Sequence, residues 1–477
     1  MSIIQSVDNQ VLKEIVSFIP NFFRILYKPN NDNDVFIIER VKYRLFGFNE
    51  DVISSSLESE FTQHGQTHCI DIPDCDNCPI NKFCHHFRNE SQEKLKFNDD
   101  VKFIDLFCGA GGLSIGLEKF GLSPVLALDF NEQSIQTYKL NRPFLNEEEV
   151  IVGDIIEYVD SHEIPKVSVV VGGPPCQGFS NANKQSVPDD QRNYLYKKFI
   201  EVVRLSEASL IVMENVEGIL KFEKYIENDF KEIGFSIKPY ILNTKDFGYP
   251  QNRKRVFWFG YKTDNIFEFE QLATIFETNI KKSLSKSKFD LMDAIGDLPK
   301  LEAKTLRNNT DIENEKWGFT ITENKTKQTE YIKLINSSSY PFLFNHKSKY
   351  NNDRDIEIYS RLKQGEGSDA KSIDDINPYK NRNAIFKDKF FKLRANEPSK
   401  TITAHMYYDC HMYIHPTQAR GLTPREAARV QGFPDDYFFT GSPNEWYRQI
   451  GNAVSPLIAR NIGQGIRAVI DFINDLK

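Results

Sequence analysis

Residues 172–180 read "GGPPCQGFS", which sets Cys176 between a Pro-Pro pair and a Gln-Gly pair. The run before it, "VSVVVGG" (167–173), has the length and β-branched content of a buried parallel strand. The thiol therefore sits where the chain leaves a sheet edge and turns, and an isolated cysteine at such a position is a candidate nucleophile. "LIVMENVEGIL" (210–220) puts Glu214 and Asn215 at the end of another apolar strand, where a charged side chain needs a partner or a task. "PQNRKRVFWFG" (250–260) alternates Gln251, Arg253 and Arg255 on one face of an extended segment. Taken singly, these groups have structural explanations, and a buried salt bridge would account for Glu214 and Arg253. A thiol, a carboxylate and arginines at neighbouring strand ends form a catalytic constellation.

A glycine turn lies beside them. "FIDLFCGAGGLSIGLEKFG" (103–121) runs from an apolar strand through Gly109, Gly111 and Gly112 into an amphipathic helix. Three glycines let a backbone approach a ligand where a Cβ would clash, and a tight structural turn would explain them about as well. Asp129 ends the next strand and is placed to bond a ribose diol, and Asp154 in "VGDI" ends a third. Asp154 taken singly could be a helix cap. Together the three groups favour an adenosine-containing cofactor. The Gly-x-Gly-Gly spacing departs from the dinucleotide fingerprint, which disfavours a dehydrogenase.

These residues need a frame. Strands and helices alternate from 101 to about 262: "VKFIDLF", "PVLALDF", "VIVGDI", "VSVVVGG", "LIVMENV" and "RVFWFGY", with helical stretches between. This order predicts an α/β class, a doubly wound, mostly parallel sheet with helices on both faces. The rhythm fails between about 263 and 415, which is rich in Lys, Asn and Ser and predicts a smaller irregular domain. From 418 a helical pattern returns in "TPREAARVQGF", with Thr423 as N-cap and Pro424 at the first helical position. The expected division is 1–98, a small helical module; 99–262, the catalytic domain; 263–417, the irregular domain; and 418–477, a return to the catalytic domain.

At 477 residues the chain is expected to form two or three domains. Lys+Arg 60 against Asp+Glu 67 gives −7, which argues against a protein that coats nucleic acid through charge alone. Residues 281–400 carry 24 Lys/Arg and 18 Asp/Glu, a local +6 compatible with a docking face or with a solvated Lys-rich surface. No stretch approaches a membrane span, and "MSIIQSVDNQ" lacks the features of a signal peptide, so a cytoplasmic protein without membrane partners is expected.

The set "FCGAGG", "GGPPCQGFS", "MENVEG", "QNRKR", "REAARVQGFPDDY" and "QIGNAVSPLIAR", in this order, resembles the DNA cytosine-5 methyltransferases that use S-adenosylmethionine. The resemblance covers roughly residues 101–477. It implies that Cys176 adds to cytosine C6, which turns C5 into an enamine-like carbon able to take a methyl group. It implies that Glu214 bonds or protonates cytosine N3, and that Arg253 and Arg255 contact the cytosine carbonyl, the carboxylate or a nearby phosphate. The cofactor pocket it implies comprises Phe107, Gly109, Gly111, Gly112, Leu113, Asp129, Asp154, Ile155 and Pro174, completed by Asn452 and Val454 from the C-terminal motif. The target cytosine must leave the base stack to meet both thiol and sulfonium. Residues 263–417 take the place of the family's target-recognition domain, with "TIT" (401–403) near its end.

Four of the seven cysteines fall within residues 69–84, as Cys69-x5-Cys75-x2-Cys78-x5-Cys84. Four thiols this close suggest a metal site. The spacing is similar to the iron–sulfur loop of endonuclease III and MutY-like glycosylases, which has one more residue in the first gap. Residues 1–88 are accordingly expected to be a truncated, inactive glycosylase-like module with a [4Fe–4S] cluster, zinc being the alternative.

The expected function is methylation of cytosine C5 in a specific double-stranded DNA site by a monomer. It would protect host DNA beside a cognate restriction endonuclease that it does not contact directly. Two alternatives stand: an inactive DNA-binding regulator on the same scaffold, or a tRNA cytosine-5 methyltransferase. The intact Cys176, Glu214 and Arg253 favour an enzyme, and the long insert favours duplex DNA.

Overall fold

The computed structural model describes residues 101–142, 145–175, 194–263, 268–282, 288–305, 320–321, 329–336, 342–380 and 389–475. Cys176, the four clustered cysteines and the expected module at 1–98 lie outside the described residues.

Eight strands lie between residues 101 and 262: β1 Val101–Leu106, β2 Leu122–Asp129, β3 Val150–Val152, β4 Val169–Gly172, β5 Leu210–Asn215, β6 Phe235–Asn243, β7 Gln251–Asn252 and β8 Lys254–Lys262. Seven of them form one sheet in the order β3-β2-β1-β4-β5-β8-β6. β1 to β5 are mutually parallel, while β8 runs antiparallel to both β5 and β6. The expected mostly parallel, doubly wound sheet is present. β6 is the strand that periodicity did not indicate: Lys238 and Pro239 interrupt its apolar pattern. Proline is tolerated there because β6 is an edge strand and one side of its backbone needs no ladder partner.

Both faces of the sheet are covered, which explains why the strands read as continuous apolar runs instead of alternating. On one face, Val101 and Phe103 of β1 and Leu210 and Val212 of β5 pack against α1 (Gly112–Glu118), α6 (Phe269–Lys281) and α12 (Pro456–Asp475). On the other, Ile104, Leu106, Ile211 and Met213 meet α3 (Ile155–Ser161), α4 (Tyr194–Leu205) and α5 (Glu223–Glu232). α2 (Glu132–Leu140) closes a small cluster in which Ile135 and Tyr138 pack with Cys108, Ala127 and Val150. Phe276 of α6 stacks on Phe259 of β8 with ring centroids 4.3 Å apart, so the layer on this face extends past residue 262.

Beyond it come short elements: α7 (Leu291–Ile295), β9 (Thr320–Ile321), α8 (Glu330–Ile335), β10 (Phe342–Leu343), α9 (Asp353–Arg361) and β11 (Ser399–Lys400). Ile358, Tyr359, Leu362, Ile373, Phe390 and Ile414 form a core of their own, whereas Leu291, Tyr331, Leu343 and Ile402 join the sheet's larger core. α10 (Pro424–Gln431) packs into the larger core through Ala427, Ala428 and Val430. Thr423 caps it, with Glu426 completing a capping box and Pro424 in the first turn, as its sequence predicts. Arg420 grips Glu426 through two hydrogen bonds of 2.6 and 2.7 Å, and Arg429 pairs with Asp435 and with Asp297. α11 (Pro443–Asn452) then leads into α12.

Candidate active site

β1 lies between β2 and β4, and its helix and that of β4 leave to opposite faces, so the strand order reverses at this pair. Open α/β sheets bind ligands in the crevice outside the carboxyl ends at such a point. Here Leu106 opposes Gly172, and the Gly173 amide donates to Leu106 O at 3.3 Å. The glycine turn after β1 and the Gly173-Pro174-Pro175 exit of β4 therefore start side by side, and this exit is described as far as Pro175.

The turn has an unusual backbone. Phe107, Gly109 and Gly111 all have left-handed φ, at 57°, 53° and 80°. The three glycines, expected to serve ligand approach alike, divide by role. A Cβ on Gly109 would meet nothing within 4 Å, so this residue borders open space. A Cβ on Gly111 would fall 2.5 Å from Arg142 Nη1, and one on Gly112 would fall 2.3 Å from Val454 O. Gly111 and Gly112 are thus small because of their own protein neighbours. Of the three, Gly109 alone has open space where a Cβ would stand.

Asp129 ends β2 as expected, but its carboxylate is already engaged. Oδ2 accepts the Gly109 amide at 2.9 Å and Oδ1 accepts the Asn131 amide at 2.8 Å. Burial raises its pKa, and these two bonds pull it back. A carboxylate has about four lone-pair sites, so two remain for ligand hydroxyls. Asp154 is exposed and accepts the Ile156 amide at 2.8 Å as the N-cap of α3. Leu113 and Ile155 are buried in the cores on opposite faces of the sheet, and Phe107 packs partly against the same core as Ile155. Phe130, which sequence reasoning missed, is 73% exposed directly after Asp129. An aromatic between the strand-ending Asp129 and the polar Asn131 was the available signal.

At the other end of the crevice Arg255 Nε lies 3.0 Å from Glu214 Oε1, both side chains partly exposed. Arg253 goes elsewhere. It is buried, its Nη1 donates to Ile402 O at 2.7 Å, and its Nη2 donates to Ala453 O at 3.0 Å. Burial and then the nearby Arg255 push its pKa down to about 9, which leaves it charged at neutral pH. The salt bridge weighed for Glu214 and Arg253 is therefore made by Arg255. The cause is a change of sheet. Gln251 and Asn252 pair with β11, Lys254 onward pairs with β6, and Arg253 lies at the crossing, facing the C-terminal segment. Gln251 serves the same joint, accepting the Ile402 amide at 2.8 Å and donating to Gln431.

Asn215, next to Glu214, is buried and donates to Pro174 O at 3.0 Å, tying the exit of β4 to the end of β5. Val454 O faces Gly112, so the C-terminal motif does return to the glycine turn. Asn452, the last residue of α11, is exposed. An open cleft lined by Thr244, Arg253, Arg255, Phe257 and Val454 joins the ion pair to that motif. Among the described residues no group of three or more His, Cys, Asp or Glu could hold a metal ion.

Known proteins resemble this chain in sequence and fold. The Type II methyltransferase M1.HphI of Haemophilus parahaemolyticus is 31% identical over 77% of this chain and 86% of its own. The Type II methyltransferase M.DdeI of Desulfomicrobium norvegicum is 31% identical over 78% of this chain and 90% of its own. A crystal structure of a prophage-encoded Escherichia coli protein, assigned as a DNA modification methyltransferase, superposes with a TM-score of 0.60 at 25% identity, covering 78% of this chain and all of that one. The model of C-5 cytosine-specific DNA methylases matches residues 101–468, so the chain belongs to that family.

Proposed function

We propose that the chain methylates C5 of a cytosine turned out of a specific duplex DNA site, through a transient bond between Cys176 Sγ and cytosine C6. The observation that carries this reading is the convergence, at one sheet edge, of the glycine turn, the Pro174-Pro175 exit and the Glu214–Arg255 pair. Bare backbone at Gly109, the Asp129 carboxylate and the exposed Phe130 ring fit an adenosine-bearing cofactor: backbone close to the ligand, lone pairs for a ribose, a face for a purine. S-adenosylmethionine, when bound, supplies an electrophilic methyl group on its sulfonium.

The chain's own groups do the rest. The Cys176 thiolate adds to C6, and the electron pair of the C5–C6 double bond moves onto C5. Glu214 bonds N3 and offsets the charge that develops on the ring, while Arg255 fixes the carboxylate and can reach the base carbonyl. After transfer, a base takes the C5 proton, the double bond re-forms and the thiolate leaves C6. Arg253 acts at one remove, by holding Ile402 of the recognition region against Ala453 of the C-terminal segment. Residues 263–417 supply target recognition in this reading, and Tyr408, 70% exposed just after the turn Ala404–Tyr407, faces the DNA.

The Type II relatives support a place in a restriction-modification system, where methylation protects host DNA from a cognate endonuclease. Transfer of radiolabelled methyl groups to mixed-sequence duplex, with bisulfite sequencing to locate the site, tests the whole reading. Label in RNA alone, or none at all, overturns it. For residues 1–98 we keep the glycosylase-like module in which Cys69, Cys75, Cys78 and Cys84 hold a [4Fe–4S] cluster. Brown protein with about four irons per chain after anaerobic purification supports it, and colourless protein with about one zinc refutes it.

A further inference from the structure

The glycine turn is held from below by two side chains that the methyl-transfer chemistry does not use. Arg142, just past α2, is 2% exposed. Its Nη2 donates to Gly111 O at 3.0 Å, its Nη1 donates to Tyr437 Oη at 3.0 Å, and its Nε meets Glu118 Oε1 of α1 at 2.5 Å. The guanidinium lies 3.9 Å over the Tyr138 ring. Tyr437 comes from the segment after α10, is 4% exposed, and donates its hydroxyl proton to Ala110 O. Two consecutive carbonyls of the turn are thus each held by one member of a hydrogen-bonded pair.

The clamp rests on a firm base. Arg425 donates to Tyr437 O at 2.6 Å, and Asn345 exchanges hydrogen bonds with both backbone groups of Phe439, at 3.0 and 3.1 Å. Under the turn, Ser114 bridges Tyr138 Oη at 2.8 Å and Asp105 Oδ2 at 2.6 Å. A segment with three left-handed residues, one of them Phe107, keeps that shape only where its surroundings over-determine it. Drawing the Ala110 and Gly111 carbonyls inward fixes their peptide planes and keeps those acceptors off the open side at Gly109. The turn then meets its ligand already shaped, with less ordering left to do on binding.

We propose that Arg142 and Tyr437 are positioning residues for S-adenosylmethionine, acting through Ala110 and Gly111 without touching it. The inference rests on the reading of the turn as the cofactor site. Tyr437→Phe is the sharpest test because it removes one oxygen and keeps the ring. Its affinity for S-adenosylmethionine, measured by titration calorimetry, is expected to weaken roughly fivefold to thirtyfold, because the Ala110 carbonyl loses its donor and Arg142 Nη1 its acceptor. The KM for DNA and kcat at saturating cofactor should stay within twofold of wild type. Arg142→Lys keeps a charge for Glu118 but cannot span Gly111 O and Tyr437 together, and should show the same selective loss. If it does not fold, Tyr437→Phe decides.

Cofactor affinity within twofold of wild type in Tyr437→Phe overturns the proposal. An equal rise in the KM for DNA does so too, because that is general loosening. Asp129→Ala separates this failure from that of the underlying reading. A defective Asp129→Ala beside a normal Tyr437→Phe removes the clamp alone, while normal binding in both removes the cofactor site itself.

Discussion

Glu214 is paired with Arg255 at 3.0 Å, and Arg253, two residues earlier, is turned into the protein to hold carbonyls of Ile402 and Ala453. Two arginines of one motif therefore do different work. Arg255 stays partly exposed and paired with the carboxylate, while the Arg253 side chain is buried with both Nη atoms on backbone carbonyls.

Glu214→Gln follows from this pairing. The amide keeps the size and a hydrogen bond to N3 but neither carries charge nor shuttles a proton, so kcat is expected to fall roughly 100-fold or more. Arg255 remains partly solvated, so stability should change by less than about 1 kcal/mol. Steady-state kinetics and urea melts check both, and a kcat within threefold of wild type contradicts the assignment.

Arg253→Met should behave in the opposite way. It removes the donors that meet Ile402, Gly451 and Ala453 carbonyls in a buried joint, at a cost of about 2–4 kcal/mol. Thermal melting should drop sharply, with activity at low temperature following the folded fraction. A stable but inactive Arg253→Met would instead place this side chain in the chemistry.

Much of this was legible in the sequence, and the exceptions have physical causes. The glycine turn, the strand-ending Asp129 and Glu214 and the Thr423 cap depend on local patterns that the fold leaves intact. β6 was hidden because an edge strand tolerates Lys238 and Pro239. The reason for Gly111 and Gly112 was hidden because Arg142 and Val454 O, which exclude a Cβ there, come from 31 and 342 residues away. The partner of Glu214 was misjudged because alternation on one strand does not foresee that Arg253 lies where the chain passes from one sheet to another.

The glycines offer a paired prediction. Gly111→Ala must displace a buried Arg142 and adopt a φ of 80°, and should lose about 2–4 kcal/mol of stability. Gly109→Ala meets no protein atom, so it should lose only about 1–2 kcal/mol, for its left-handed φ. Its methyl group projects toward the cofactor's side and should weaken S-adenosylmethionine binding about tenfold or more. Urea melts and calorimetry on the two variants distinguish these outcomes, and equal effects on both measurements contradict the division.

Acid should loosen the anchor of α10 in two steps. Burial pushes His415 down to about 4, with Glu426 opposing and Arg420 assisting. The unfolded chain therefore takes up this proton first, and stability falls as pH drops from about 6.5 to 4, by on the order of 1–3 kcal/mol. For Glu426 burial opposes ionisation, but Arg420 holds it down at about 2, so its contribution stands above 4.5 and is lost as pH falls from there toward 2. His415→Gln removes the first step alone. Its stability deficit relative to wild type should shrink between pH 7.5 and 4.5, and a constant deficit contradicts the shift.

The central claim is that Cys176 bonds to C6 of the target cytosine. Duplex DNA with every cytosine replaced by 5-fluorocytosine tests it most directly, because fluorine cannot leave as the C5 proton does and the adduct persists. With S-adenosylmethionine present, the wild type should form a protein–DNA band that survives denaturing electrophoresis, and Cys176→Ser should form none while still binding the same duplex. A wild type that methylates ordinary cytosine without trapping, or a Cys176→Ser variant that traps as well as the wild type, would contradict the account.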